Sequence, residues 1–381
     1  MADETPAQDG DPANLGTPGS PGPSGSAAEN RNPSTPNNPL GLSFTTGPRP
    51  GLPPRWATGS RDLSAFDGLG FAARMARLAV VVILLVGAVL IGVVTVSGVG
   101  PPSKDDLIRR AGLLDKKQLL VGVKDDQPGL SLRDPNTGRY TGFDVEIAYL
   151  VAAELGFGPD DVRFLTIESE DRARRQAVDP TTHKTVTVDL VVATFSITAE
   201  RKKDPDVLFS APYLRTEQSV LTKRPSKEIE ALSDLANETV CTLNTTTSML
   251  ALQAAGDRPV GRNKISECVE GLRHGTYDAV STDAAILAGF NYEYPKELQL
   301  HDIGLEASED YGINVGPNPA LQTLVNLALY KSLNDPGDRR WENAYDTYLR
   351  IEQKDAEAQQ VAVSRQPMVA KPKVRTWPWE E

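Results

Sequence analysis

The chain has little cysteine and histidine, and it has no excess of basic residues. Two Cys among 381 residues exclude a disulfide-dense scaffold. The three His are widely separated and lack matching Cys or carboxylate spacing, which excludes an obvious zinc site. A formal net charge of −11 disfavours sequence-independent nucleic-acid binding, because phosphate contacts need a basic surface. The sequence also lacks a phosphate-binding loop and a Ser-His-Asp pattern, so we expect no nucleic-acid partner, no metal and no cofactor.

Pro and Gly are abundant, and they are concentrated near the N-terminus. By count, residues 1–54 hold 12 of the 29 Pro and 8 of the 31 Gly. Such a segment cannot bury enough apolar surface to offset the entropy cost of ordering it. We therefore expect residues 1–77 to form a disordered tail, which leaves about 250 residues for one large domain or two smaller lobes.

One uninterrupted apolar run follows this tail. Residues 78–99 read LAVVVILLVGAVLIGVVTVSGV and contain no charge. At about 1.5 Å per residue this run would extend roughly 33 Å, which is enough to cross a hydrocarbon core. A buried core helix would have a polar face over this length, and a cleaved signal peptide would have a shorter apolar region. The run therefore predicts one transmembrane helix at 78–99.

Lys and Arg flank the run on both sides, so counting them does not settle its orientation. Cys241 and Cys268 both lie beyond the run. An even count in an exported segment indicates one disulfide, whereas two free thiols would be expected in a cytosolic domain. We therefore expect a Cys241–Cys268 disulfide, a cytoplasmic N-terminus and an extracytoplasmic domain held at the cell membrane.

Strand and helix patterns alternate beyond the apolar run. Residues 188–193 (VDLVVA) predict a strand buried on both faces, as in parallel sheets, and residues 143–155 predict an amphipathic helix that Gly156 ends. The alternation predicts an α/β fold. Residues 354–381 lose this periodicity and are expected to form a flexible C-terminal tail.

Three polar segments follow predicted strands, where helix N-termini meet ligands in open α/β sheets. In 192–201 (VATFSITAER), small polar groups and Arg201 suit a carboxylate, although Arg201 could equally lie on a solvated basic helix. In 242–248 (TLNTTTS), four consecutive hydroxyl-bearing residues exceed what helix capping requires. Asp283 could cap its own helix or accept hydrogen bonds from a ligand ammonium. Together the three segments describe a site for an α-amino acid.

The sequence resembles the family 3 solute-binding proteins of polar amino-acid ABC importers, most closely their actinobacterial glutamate/glutamine-binding branch. The resemblance covers about residues 105–352 and is carried by VGVKDDQPGL (121–130), YTGFDVEIA (140–148), VDLVVATFSITAERKK (188–203), VLFSAPYL (207–214), VCTLNTTTS (240–248), DAVSTDAAILAG (278–289) and DYGINV (310–315). It departs from the family at Asn244 and Thr245, where a Gly is usual, and at 170–186, which is longer and more charged.

The resemblance implies a two-lobed clamp of the type II periplasmic-binding-protein kind, preceded by the transmembrane helix. Lobe 1 would comprise 105–213 and 312–352, and lobe 2 would comprise 214–309. Closure would trap one amino acid. The residues implied at the site are Arg201 for the α-carboxylate, Asp283 for the α-ammonium, Thr194, Ser196 and Thr247 for further hydrogen bonds, and Lys124 and Arg172 for the ligand side chain.

Two cations near the ligand side chain favour an acidic ligand, and together with the resemblance they lead us to expect a protein that binds glutamate, aspartate or glutamine. The resemblance also implies that the protein works with ABC permease subunits. An alternative is a receptor that reports amino-acid binding through the span, which the long N-terminal tail motivates. A clamp-based enzyme would need an acid or base at the ligand, for which Glu168 and Glu170 are the candidates.

Overall fold

A computed structural model describes residues 64–96, 100–180, 182–303, 308–353 and 361–375. Helix α1 spans Ser64–Val96 and contains Gly70–Val94, a stretch that is long and apolar enough to cross a membrane. Its large apolar side chains are exposed, and Ile83 is 68% exposed. The helix begins earlier than predicted, because the Ala, Met, Leu and Arg before the apolar run are good helix formers. Residues 64–77 are therefore helical rather than part of the predicted tail, while 1–63 and 97–99 lie outside the described residues.

Two five-stranded sheets organise the rest of the described chain, one in each lobe. Lobe 1 begins with α2 (Lys104–Arg110), β1 (Leu119–Val123), β2 (Asp126–Gln127), β3 (Ser131–Arg133), β4 (Tyr140–Thr141), α3 (Phe143–Leu155), β5 (Val162–Thr166), β6 (Gln176–Val178), β7 (Thr185–Thr187), β8 (Leu190–Val191) and β9 (Phe209–Thr216). Lobe 2 contains β10 (Gln218–Lys223), β11 (Val240–Leu243), α4 (Thr247–Ala254), β12 (Val260–Arg262), α5 (Ile265–Arg273), β13 (Ala279–Asp283), α6 (Ala284–Glu293) and β14 (Leu298–His301). The chain returns to lobe 1 with β15 (Glu309–Asn314), α7 (Pro319–Asn334), α8 (Arg340–Ala344), a π-helical turn at Tyr345–Leu349 and α9 (Arg350–Glu352).

The two sheets share one pattern of strand direction. The order in lobe 1 is β5-β1-β8-β15-β9, and the order in lobe 2 is β12-β11-β13-β10-β14. The first three strands in each order pair in parallel, as predicted, but the fourth strands, β15 and β10, are antiparallel to both of their neighbours. The reason is that the chain leaves lobe 1 through β9 and returns through β15 in the opposite direction. The predicted α/β clamp is thus confirmed as a mixed fold.

The strands fix where the chain crosses between lobes. The first crossing is at Glu217, between β9 and β10, and the second lies between His301 and Glu309. Both crossings differ from the predicted lobe boundaries by a few residues. Leu214 pairs with Tyr311, and Thr216 pairs with Glu309, so 214–216 and 309–311 belong to the lobe 1 sheet.

The core of lobe 1 is built from distant parts of the chain. Phe143, the first residue of α3, lies edge-on to Trp341 of α8, with ring centres 5.6 Å apart. The Trp341 indole N–H donates to the Tyr213 carbonyl at 2.8 Å, and the indole stacks on Tyr345 at 5.3 Å. Burial of large aromatic side chains such as these contributes about 1.5–3 kcal/mol each.

Glycines set both ends of α3. Gly142 has φ of 131°, and a Cβ at this position would lie 2.3 Å from the Leu130 carbonyl oxygen. Gly156 caps the helix in the left-handed conformation, with φ of 93°. The helix therefore spans Phe143–Leu155, as the sequence predicts.

Lobe 2 contains the predicted disulfide. Cys241 of β11 is bonded to Cys268 of α5, and 27 positions separate the two in sequence. In the chain-entropy picture, closing a loop of this length stabilises the fold by roughly 3 kcal/mol. The disulfide bond links α5 to β11, the second strand in the lobe 2 sheet.

The described part of the C-terminal segment, 361–375, is packed on lobe 1 and is named here the strap. Val361 and Ala362 are fully buried, and Val369 is 5% exposed. The sequence predicts a flexible tail over 354–381, and the strap differs from that expectation because Val361, Ala362 and Val369 are buried although the segment has no helical or alternating pattern. Residues 354–360 and 376–381 lie outside the described residues.

Candidate functional site

Six of the seven predicted ligand-binding residues line one small cavity between the lobes. Lobe 1 contributes side chains that follow β5 and β8, and lobe 2 contributes side chains at and just after the ends of β11 and β13. The lining residues are Arg172, Thr194, Ser196, Arg201, Leu243, Thr246, Thr247, Thr282, Asp283 and Ile286. The arrangement follows from the fold, because the carboxyl ends of the parallel strands in both sheets face the cleft.

Arg201 is held by the segment that follows β8. Its backbone N–H donates to the Thr198 hydroxyl at 3.1 Å, and its guanidinium donates to the Ser196 carbonyl at 2.7 Å. A further guanidinium N–H donates across the cleft to the Thr245 carbonyl at 3.2 Å. Three of its five N–H donors remain for a carboxylate. The solvated-helix alternative fits the exposed Lys202 rather than Arg201, which lines the cavity.

Arg172 adds a second, fixed positive charge. Its side chain is 2% exposed and donates to the carbonyl oxygens of Ser169 (3.1 Å), Ala193 (3.1 Å) and Thr194 (2.8 Å). Burial, with the neighbouring Arg201 cation, lowers the pKa of Arg172 to about 9. An anion in the cavity would raise the pKa of Arg172 again, because a nearby negative charge favours the protonated guanidinium and compensates two closely spaced cations.

Phe195 joins the two arginines. The guanidinium carbons of Arg172 and Arg201 lie 4.8 Å and 4.7 Å from the centre of its ring. The ring is 3% exposed, so these cation–π contacts are largely desolvated and worth about 1–2 kcal/mol each. Phe195 was not among the predicted site residues, although its position between two of them, Thr194 and Ser196, was the available signal.

Thr194 sits in a strained backbone conformation next to a buried acid. Its φ is 45°, and its N–H donates to Asp144 Oδ2 at 3.0 Å. Asp144 also accepts a hydrogen bond from the Tyr213 hydroxyl at 2.9 Å, and burial raises its pKa to about 7. Asp144 therefore positions Thr194 from beneath the cavity, a role that its place in the amphipathic helix α3 does not indicate.

The hydroxyl-rich loop of lobe 2 has divided roles. Thr246 is the N-cap of α4, accepting from Met249 N–H at 3.2 Å and donating to the Leu243 carbonyl at 2.8 Å. Thr247 is half-buried and lines the cavity beside it. Thr245 has φ of 55°, a left-handed conformation that Gly adopts most readily, which gives a physical reason for the Gly that the resemblance implies at this point. Capping thus accounts for one hydroxyl and leaves Thr247 to face the cavity.

Asp283 faces the arginines from the other side of the cleft. Its carboxylate accepts hydrogen bonds from the Tyr311 hydroxyl and from the Ser248 hydroxyl at 3.4 Å, and it makes no side-chain cap bond to α6. Burial raises the pKa of Asp283 to about 7, and the nearby Glu309 carboxylate adds to the rise. The capping alternative therefore does not describe the Asp283 carboxyl group, and the cations that act on it are Arg172 and Arg201 of lobe 1.

Lys124 is the one predicted site residue that does not line this cavity. Its side chain is 1% exposed, and its ammonium lies 3.4 Å from the Ser169 hydroxyl and 3.8 Å from the Glu168 carboxylate. Burial lowers its pKa, against the raising effect of Asp126. Lys124 therefore lies close to Arg172 and is paired with Glu168, and it does not line the cavity.

Direct contacts between the lobes hold the cleft closed. The Lys264 ammonium of lobe 2 pairs with Asp125 Oδ2 of lobe 1 at 2.7 Å, and the Ser266 N–H donates to Asp126 Oδ2 at 3.0 Å. A Cβ added at Gly289 would lie 2.3 Å from the Pro128 carbonyl oxygen, so α6 approaches the β2 turn closely. The cavity is thus covered by polar and close-packed contacts on one side.

Glu352 is a buried acid at the same lobe boundary. It is 4% exposed, and a Cβ at Gly129 would lie 2.0 Å from its Oε1. Among the described residues no hydrogen-bond partner satisfies its Oε2. Burial, together with Glu293 of lobe 2, raises the pKa of Glu352 to about 9. The carboxyl group is therefore protonated in the folded protein at neutral pH.

We expect the variant Glu352→Gln to stabilise the protein at alkaline pH. Because the pKa is raised on folding, the favourable contribution of the neutral acid is complete below about pH 4.5 and is lost as the pH rises towards 9. A neutral amide avoids that loss, on the order of 2–4 kcal/mol at pH 8. Thermal unfolding from pH 5 to pH 9 should show a flatter profile for the variant, and parallel profiles would contradict the burial of an acid at this position.

The donor groups at the site suit an organic ion rather than a metal. Among the described ranges, no group of three or more His, Cys, Asp or Glu side chains is placed to hold a metal ion. The cavity instead sets two guanidinium groups opposite one carboxylate, with hydroxyls between them. Chemically, this arrangement can bind a small molecule that carries both an anionic and a cationic group.

The comparisons with known proteins agree with this geometry. The chain matches the bacterial extracellular solute-binding proteins, family 3, over residues 119–361. It is 30% identical over 259 residues to a glutamate-binding protein of Corynebacterium glutamicum, which covers 66% of this chain and 85% of the relative. It is 30% identical over 253 residues to an ABC transporter glutamine-binding protein of Bacillus subtilis, which covers 65% of this chain and 86% of the relative.

Solved structures show the same fold. A solute receptor for L-cysteine from Neisseria gonorrhoeae has a TM-score of 0.57 to this chain at 25% identity, and the match covers 68% of this chain and 99% of that structure. The family match spans more than half of the 381 residues and includes both lobes and the cavity. The chain therefore belongs to family 3 of the bacterial extracellular solute-binding proteins.

Proposed function

We propose that this protein binds glutamate, aspartate or glutamine between its lobes and delivers the ligand to an ABC importer. The observation that carries the proposal is the cavity in which Arg172 and Arg201 face Asp283 across the cleft. Arg201 would hold the α-carboxylate in a bidentate pair, and Asp283 would accept the α-ammonium. Thr194, Ser196 and Thr247 would add hydrogen bonds from both lobes.

The second cation argues for a ligand side chain that carries oxygen. Arg172 leaves positive charge that one α-carboxylate on Arg201 does not compensate. A side-chain carboxylate or amide oxygen would meet that charge, whereas a basic side chain would be repelled. The names of the glutamate- and glutamine-binding relatives support the same ligand class.

Membrane attachment through α1 is part of the proposal. The apolar side chains of Gly70–Val94 are exposed, which is unfavourable in water but suits a hydrocarbon core. The disulfide supports an oxidising compartment for the domain, with the N-terminus in the cytoplasm. A binding role rather than an enzymatic one is supported by the positions of Glu168 and Glu170, because neither acid lines the cavity.

The ligand is tested by a thermal-shift screen of the full chain in lipid nanodiscs against the twenty amino acids. At about 100 times the Kd, a ligand should stabilise the protein by about 2.7 kcal/mol, which corresponds to a Tm rise of roughly 5–10 °C. We expect glutamate, aspartate or glutamine to give the largest rise and lysine to give none. A screen in which basic amino acids give the largest rise would overturn the proposed ligand class.

A receptor role remains the second candidate, because α1 would connect the clamp to the long segment before it. Uptake of radiolabelled glutamate with and without the gene separates the two roles. Delivery requires that uptake falls when the gene is absent. Unchanged uptake, together with intact ligand binding, would favour the receptor.

A further inference from the structure

The strap lies beyond the part of the chain that the family shares. The family match ends at residue 361, where the strap begins. Its buried residues make it part of the lobe 1 surface rather than an appendage, and Gln366 fixes its middle by donating to the Leu329 carbonyl of α7 at 2.9 Å. The strap lies outside the family match but is hydrogen-bonded and partly buried, so we expect its contacts to serve a role that is specific to this chain.

The first end of the strap is bonded to the crossing between the lobes. The Thr216 hydroxyl, at the last residue of β9, donates to the Val361 carbonyl at 2.6 Å. The Thr216 hydroxyl oxygen also accepts a hydrogen bond from the Ala285 N–H of lobe 2 at 3.2 Å. The Val363 N–H donates to the Arg215 carbonyl at 2.9 Å. The buried Thr216 hydroxyl therefore joins lobe 1, lobe 2 and the strap next to the crossing at Glu217, which is named here the hinge.

The other end of the strap is bonded to the segment that follows α1. The Arg375 N–H donates to the Pro102 carbonyl at 2.9 Å, and Arg375 forms a β-bridge with Ser103. The Arg375 guanidinium lies 3.6 Å from Asp106 Oδ2 of α2. In the sequence, Pro102 closely follows Val96, where the membrane-compatible helix ends.

We propose that the strap couples the hinge to the segment next to the membrane, so that movement of the lobes and the position of the anchor are linked. A change of backbone direction at Thr216 on opening would displace Val361–Val363, and the packed strap would pass that displacement to Arg375 and Pro102. The link is reciprocal, because a coupling free energy acts equally in both directions. The proposal goes beyond ligand binding and does not depend on which amino acid is bound.

Hydrogen–deuterium exchange of the full chain in lipid nanodiscs tests the coupling from both ends. Arg375→Pro removes the N–H that bonds Pro102 and the charge that faces Asp106. We expect amide exchange to rise at least threefold in peptides covering 209–217, at the hinge. Thr216→Val removes the hydroxyl that bonds Val361, and we expect a similar rise in peptides covering 100–110.

Lys373→Ala is the matched control, because it removes an exposed charge from the same strap and should change exchange at neither end. Changes that stay local to the substituted end in both variants would overturn the proposal. If Thr216→Val fails to fold, the response of 209–217 to Arg375→Pro decides alone. Calorimetry with L-glutamate on the same samples reports separately on the proposed ligand, so failure of the coupling and failure of the binding function are distinguishable.

Discussion

Replacing Arg201 by alanine is expected to abolish measurable binding of the amino-acid ligand. The substitution would leave the ligand carboxylate buried without its main partner, which typically costs about 2–5 kcal/mol, or roughly 30-fold to several-thousand-fold in Kd. It would also remove the bond to the Thr245 carbonyl that joins the two lobes. Isothermal titration calorimetry of the full chain in nanodiscs with L-glutamate measures the loss.

Two further variants make the Arg201 result specific. Arg201→Lys keeps the charge but loses the planar fork that meets a carboxylate bidentately, so we expect an intermediate affinity. Lys202→Ala removes the neighbouring exposed charge and should leave the affinity within about twofold of wild type. Near wild-type affinity for Arg201→Ala would refute its assignment to the ligand carboxylate.

Replacing Asp283 by asparagine is expected to have an effect of similar size and to change the pH dependence of binding. The pKa of Asp283 is raised to about 7, so the group is partly protonated in the free protein at neutral pH. A ligand ammonium requires the ionised form. Affinity should therefore fall as the pH drops below 7, by up to about tenfold per pH unit, and should level off above pH 8.

The variant should bind weakly and lose this slope between pH 5 and pH 8. Asp144 also has a pKa of about 7 and remains in the variant, so the difference between the two profiles isolates Asp283. Asp278→Asn is the matched control, since Asp278 is exposed just before β13 and its carboxylate accepts a hydrogen bond from the Thr239 N–H. A wild-type affinity that does not change from pH 5 to pH 8 would argue against Asp283 as the ammonium partner.

Much of the fold was predictable because local patterns carry it. The apolar run, the helix Phe143–Leu155 and the buried strand around Leu190 all depend on residues that are neighbours in sequence. The packed strap could not be predicted in the same way. Its residues bury themselves against partners such as Thr216 and Tyr345, which are distant in sequence, and an extended segment of this kind has no periodic signature.

In the candidate site, too, some residues could be predicted from the sequence and others could not. Arg201, Thr247 and Asp283 follow strands, so their convergence at one cavity could be expected from the topology of an open sheet. Lys124 was expected beside them but is turned towards Ser169 and Glu168, because the direction of a side chain just after a strand depends on the residues that pack around it. Tyr311 and Asp144 were missed, since each acts through a hydrogen bond to another site residue rather than through any motif of its own.

The discontinuous core of lobe 1 also sets an order for biosynthesis. Lobe 2 is continuous in sequence from β10 to β14 and has its disulfide within it, so it can fold as soon as it has emerged. Lobe 1 begins earlier in the chain, but Phe143 meets Trp341 only when α8 has been made, and Thr216 meets Val361 later still. The half that is synthesised first is thus completed last, and until then the aromatic surface around Phe143 lacks the partners that cover it in the folded protein.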